Sequence, residues 1–220
     1  MNSEEFLASY RSGNRNYKDL ELREIMLSGE DLTGLNLEEC KLVNCFFEDT
    51  NLTSSTIRNC ELDNSSFRGS KLTNLQIIES YFTSCNLEGV SAIENRWVNS
   101  YFHTCNLSNS IFNHIYLDNT PFYRSNLYKS FFQNSQILSD AENADESVDF
   151  TQSDFSFVDF TGSEIKGILF DDCSLGVTNF NKVFLNQVQF MSVEINITLD
   201  NTRLKNGHFL DNSFCHSGDK

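Results

Sequence analysis

Residues 36–60 read NLEEC KLVNC FFEDT NLTSS TIRNC, and written in fives they set the architecture of the chain. The second place of each block holds a large apolar residue: Leu37, Leu42, Phe47, Leu52, Ile57. The fifth holds Cys40, Cys45, Thr50, Ser55 or Cys60, and the remaining places are mostly polar. An amphipathic helix repeats its apolar residues every 3.6 positions and a half-buried strand every two, so a strict five fits neither. A short fixed period marks a stacked solenoid, in which each repeat buries its apolar side only against the next.

The same frame extends from Leu22 to Ile137, with a large apolar centre every fifth residue except at Ala92. Thirteen residues then separate Ile137 from Phe150, after which the frame continues from Phe155 to Ile195. Eight residues are therefore extra, and they fall on the acidic stretch DAENADES, Asp140 to Ser147. This stretch is expected to form an excursion loop that is either inert or a partner contact through Asp140, Glu142, Asp145 and Glu146. Removing it with a short splice should leave the coils intact. Leu199, Leu204, Phe209 and Phe214 fit a frame one residue shorter, which places a slip near 195–199. A single repeat domain, 1–220, is expected. It comprises a helical cap over 1–16, a first block over 20–139, a loop over 140–147 and a second block over 148–216. In the cap, Asn2 or Ser3 can begin a helix, Glu4 and Glu5 suit its positive end, and Phe6, Leu7 and Tyr10 share a face that can cover the first coil.

Segments such as Cys85-Asn86-Leu87, Cys105-Asn106-Leu107, Ser125-Asn126-Leu127 and Ser153-Asp154-Phe155 carry the pattern A(D/N)LXX. The chain thus resembles the pentapeptide repeat family, and the match covers most of its length. Its opening stretch, EEFLASYRSGNRNYKDLELREIMLSGEDLTGLNL, is also similar to the helix and first coil of cyanobacterial members. The resemblance implies an all-β fold, a right-handed four-sided parallel β-helix with four pentapeptides to a twenty-residue coil. At a strand spacing of ~4.8 Å, nine or so coils would make a rod about 45 Å long. Centres and the small residues two places before them would fill the interior, so function is to be sought on the remaining places, in the loop or at the ends.

Composition removes several function classes. A net charge of −15 opposes direct nucleic-acid binding, which needs clustered Lys and Arg. No stretch reads as a signal peptide or membrane span, so a cytoplasmic protein without membrane contact is expected. Six of seven cysteines occupy the small inward place, where packing explains them better than disulfides or metal. Zinc-type spacing, a phosphate loop and a nucleophile elbow are absent from the sequence, and His103 and His114 point from different faces. The expectation is therefore a non-enzyme without cofactor, catalytic or metal site.

Two surface signals remain. Residues 140–200 contain twelve acids and two bases. Some pentapeptide repeat proteins imitate B-DNA and bind DNA gyrase in its place, so a DNA-mimicking regulator of that enzyme is the alternative function. The competing reading is that Asp and Asn just before a centre hydrogen-bond the coil itself. Aromatics form the second signal. At the twenty-residue period Tyr81 and Tyr101 share a column, His103 and Tyr123 lie beside them, and Ile111 and Phe131 make a pair on another face. Such ladders either brace neighbouring strands or bind protein. The leading expectation is an interaction scaffold with an unidentified protein partner. Phe209 and Phe214 at the last coil further suggest a two-fold end-to-end homodimer, since an uncovered coil exposes unpaired backbone groups.

Overall fold

The computed structural model describes residues 1–139, 148–198, 203–205 and 208–210, and side chains within those bounds up to Val193 apart from Val148. Strands of about three residues recur at every turn of the chain. One sheet of ten parallel strands runs from Asn16–Lys18 to Arg203–Lys205, and a second from Glu21–Arg23 to His208–Leu210. Single bridges join most coils on the other two sides, for example Phe46 to Ser66 and Asn51 to Lys71, and Ser174–Asn179 pairs with Glu194–Thr198 as a two-stranded sheet. Partners stand twenty residues apart, as in Leu37 with Ile57 and Leu42 with Leu62. Four pentapeptides therefore close one coil, and the chain is a four-sided parallel β-solenoid.

The centres fill the interior in axial stacks. Along the second side Phe82, Phe102 and Phe122 lie ring on ring, with centroids 4.7 and 5.2 Å apart. Trp97 packs on Phe102 at 4.9 Å, and both it and Ala92, the small centre on the preceding side, are fully buried. Tyr17, one pentapeptide before the frame read from sequence, is also a buried centre and pairs with Leu37.

The small inward residues do more than save space. The buried N–H of Cys105 donates to the Ser125 hydroxyl one coil on (3.2 Å), and that hydroxyl donates to the Phe102 carbonyl (3.3 Å). Ser110, Ser130 and Ser135 repeat this arrangement. Cysteine serves the same purpose, with the Cys45 thiol donating to Leu22 O at 3.3 Å and Cys40 N donating to Cys60 Sγ at 3.4 Å. The six described thiols are buried and free. A turn amide that points inward thus finds a partner without opening the core to water, which is why Ser, Thr and Cys recur there.

At the corners the residue two past nearly every centre takes a left-handed conformation, and Asn, Asp and Gly dominate because they tolerate it. Gly167 shows the limit. Its φ is +66°, and a Cβ there would stand 3.2 Å from both the Cβ and the carbonyl oxygen of Ser139. Gly167→Ala is expected to lower stability by about 1–2 kcal/mol, measured by chemical denaturation, since strain and the close backbone add.

Helix α1, Ser3–Arg11, covers the first coil. Asn2 caps it, accepting from Glu5 N at 2.9 Å while the Glu5 carboxylate accepts from Asn2 N. Phe6 stacks on Tyr17 at 4.4 Å, and the Tyr10 hydroxyl donates to Thr33 O at 2.7 Å. Two departures from the twenty-residue coil follow. Gln136 pairs with Glu164, twenty-eight residues on. Further along, Gly176 pairs with Asn196 but Thr178 with Ile197, so Val177 bulges, one residue is missing between Asn196 and Ile197, within the 195–199 slip, and later partners such as Leu185 and Leu204 stand nineteen apart.

Candidate protein-binding surface

The aromatic residues named above do come together on the second side. Tyr81 pairs with Tyr101 and His103 with Tyr123, so the four side chains form two adjacent columns. Ring centroids are 6.4 Å apart for Tyr81 and Tyr101, 6.3 Å for Tyr101 and His103, and 5.2 Å for His103 and Tyr123. Tyr81 is 58% exposed, and the other three are half-buried by one another. That burial raises the Tyr101 phenol above its ordinary pKa, with the Tyr123 phenol adding to the effect. At the end of the strip Arg124 covers Tyr123, its guanidinium 5.0 Å from the ring centre, and is held by Gln152 at 2.7 Å. The strip stands on strands paired on both sides, so its geometry is fixed before any partner arrives.

Beside Tyr81 lies a shallow hollow of about 440 Å³, lined by Lys41, Glu61, Leu62, Asp63, Tyr81 and Thr83. Ile111 and Phe131 face each other on the fourth side, 38% and 44% exposed, as a pair separate from the strip. Asp140, Glu142, Asp145, Glu146 and Phe214 lie outside the described residues. Phe209 is described in its backbone alone, paired with Phe190.

Some exposed apolar residues are not picked out by the repeat. Met26, Phe157 and Val177 are exposed, and Phe157 meets Tyr128 edge-on at 5.4 Å. Phe157 and Val177 occupy left-handed corners, φ 60° and 59°, where bulky and β-branched side chains are strained. Their sequence signal is an apolar residue two past a centre, a place otherwise polar or glycine.

The acids of the second block have local work. Asp154 Oδ1 accepts from Ser156 N at 2.8 Å, and Asp159 Oδ1 accepts from Thr161 N at 2.9 Å. Asn51, Asn106 and Asn126 make the same bond to the second residue on. Asp31 does so through Thr33, whose hydroxyl and amide hold its carboxyl below the ordinary pKa. Along the third side Asp154 is followed by Ser174 and then Glu194, so its column is not an unbroken row of charge. Among the described residues no set of His, Cys, Asp and Glu is placed to hold a metal ion, and no helix is long and apolar enough to cross a membrane.

Comparison with known proteins places this geometry. Residues 31–69 and 57–89 match the model of pentapeptide repeats. No curated protein matches the chain in sequence. Among solved structures it is similar to HetL, a pentapeptide repeat protein involved in heterocyst differentiation regulation from the cyanobacterium Nostoc sp. strain PCC 7120. The identity is 17%, the TM-score 0.53, and the match covers 94% of this chain and 92% of HetL. It is also similar to a trypsin-treated variant of QnrB1, a plasmid-mediated fluoroquinolone resistance protein. There the identity is 16% and the TM-score 0.66, over 85% of this chain and 91% of QnrB1. At these identities the likeness is one of fold. With the five-residue sequence frame, the twenty-residue coil and the family match in agreement, the chain belongs to the pentapeptide repeat family.

Proposed function

We propose that this pentapeptide repeat protein is a non-enzymatic, cytoplasmic scaffold that binds a protein partner through the tyrosine strip on its second side. The observation that carries this reading is the pre-formed surface row of exposed Tyr81 and half-buried Tyr101, His103 and Tyr123, because tyrosines held rigid at the surface lose little entropy on binding. The free buried thiols suit a reducing compartment. Affinity capture with the native chain and with a Tyr81→Ala, Tyr101→Ala variant tests it. The variant should fold as the native chain does and lose the captured partner, and equal capture by both would remove the strip from the account.

Regulation of DNA gyrase by mimicry is the second reading, supported by the fold shared with QnrB1. The acids at Asp154 and Asp159 weigh against it, since their carboxylates are engaged in turns rather than arrayed in a row. A supercoiling assay is expected to show no effect of the protein on gyrase at micromolar concentration. Inhibition or protection there would favour mimicry. End-to-end pairing through the last coil is a separate proposal, and sedimentation equilibrium under reductant should then show a concentration-dependent dimer.

A further inference from the structure

Four tyrosines carry one of the chain's own cations over the ring. Arg15 lies 3.7 Å from the centre of Tyr10, Arg96 5.4 Å from Tyr116, Arg124 5.0 Å from Tyr123 and Lys129 Nζ 5.0 Å from Tyr128. Among the described residues no Lys or Arg lies over Tyr81 or Tyr101, the two rings that stand side by side on the second side. The hollow beside Tyr81 adds charge to this pair. Leu62 is its floor, and Glu61 and Asp63 flank it one coil before Tyr81 and Thr83. Lys41 closes the far end and is engaged by Glu61 at 3.1 Å. At the other end of the strip Arg124 already covers Tyr123.

We infer that the hollow and the two uncovered tyrosines seat arginine side chains carried on an extended basic segment of a partner protein. A guanidinium is flat, so it can stack on a tyrosine face while its edge pairs with a carboxylate. Tyr81 supplies the face, and Glu61 and Asp63 supply the carboxylates within the same hollow. The net charge of −15 draws such a segment in. A neutral or acidic segment would leave the Asp63 carboxylate desolvated without a partner, which is unfavourable. The strip lies along the rod axis, so a segment following it meets Asp63, Tyr81 and Tyr101 in turn on successive coils.

This inference rests on the reading of the second side as the binding surface. It is tested by titrating the full-length, isotope-labelled chain with a short end-blocked peptide of alternating arginine and glycine, followed by amide NMR. The same peptide with citrulline in place of arginine keeps the shape and removes the charge. Shifts are expected at 61–63, 81–83 and 101–103. The Tyr81→Ala, Tyr101→Ala variant should bind about tenfold more weakly or worse. Asp63→Asn should also weaken binding, Ile111→Ala on the opposite side should not, and the citrulline peptide should not bind. Shifts spread over all four sides, equal affinity of the tyrosine variant, or equal binding of the citrulline peptide would each overturn the inference. If the arginine peptide fails while the tyrosine variant still loses its captured protein, the arginine chemistry falls and the surface stands. If capture is also unchanged, the surface falls with it.

Discussion

Phe102→Asp is expected to yield no folded protein, with the chain insoluble or lacking a cooperative β signal by circular dichroism. Phe102 has no exposed surface, and its ring lies between those of Phe82 and Phe122 with Trp97 against it. Losing a core ring of this kind costs about 3–5 kcal/mol, and burying an unpaired carboxylate costs several more. A domain of this size has only about 5–15 kcal/mol to lose. In a solenoid the damage spreads, because each coil is stabilised chiefly by the two beside it. Phe102→Leu is the control. Leucine fills the same column at Leu22, Leu42 and Leu62, so that variant should fold with a modest loss.

Ser125→Ala is expected to lower stability by about 1–3 kcal/mol in chemical denaturation, although alanine differs from serine only by the hydroxyl. The Cys105 N–H would be left buried without its acceptor, and the Phe102 carbonyl would lose a donor. Ser125→Cys should cost less, because cysteine fills the corresponding place at Cys85 and Cys105 and its thiol makes the same bond to a carbonyl. If alanine and cysteine cost the same, the inward hydroxyls and thiols act by filling space alone and the ladder contributes nothing.

The contrast between these residues shows what the sequence can and cannot reveal. Phe102 was legible as core because the period of five places it at a centre. Ser125 was legible as small and inward, but its bonds join residues one coil apart, and nothing in the five-residue pattern says which way a hydroxyl turns. Tyr17 continues the frame one step before Leu22, and its role became clear only with Phe6 stacked on it beneath the capping helix. On the surface, the alignment of Tyr81 with Tyr101 followed from the twenty-residue coil. Arg15 reaching Tyr10 across the cap did not, since that pair lies outside the repeat. Phe157 and Val177 were hidden for another reason. Their places are read as polar corners, and the strained left-handed backbone that exposes them leaves no periodic trace.

Site-specific photocrosslinking in native extract tests the central claim most directly, with the photoreactive residue placed at Thr83 on the second side or at Thr53 on the fourth. Both positions are half-buried, one past a centre, and on opposite faces of the rod. A discrete protein adduct is expected from Thr83 and none from Thr53. An adduct from Thr53 alone, or the same adduct from both, would contradict the assignment of the tyrosine strip as the binding surface.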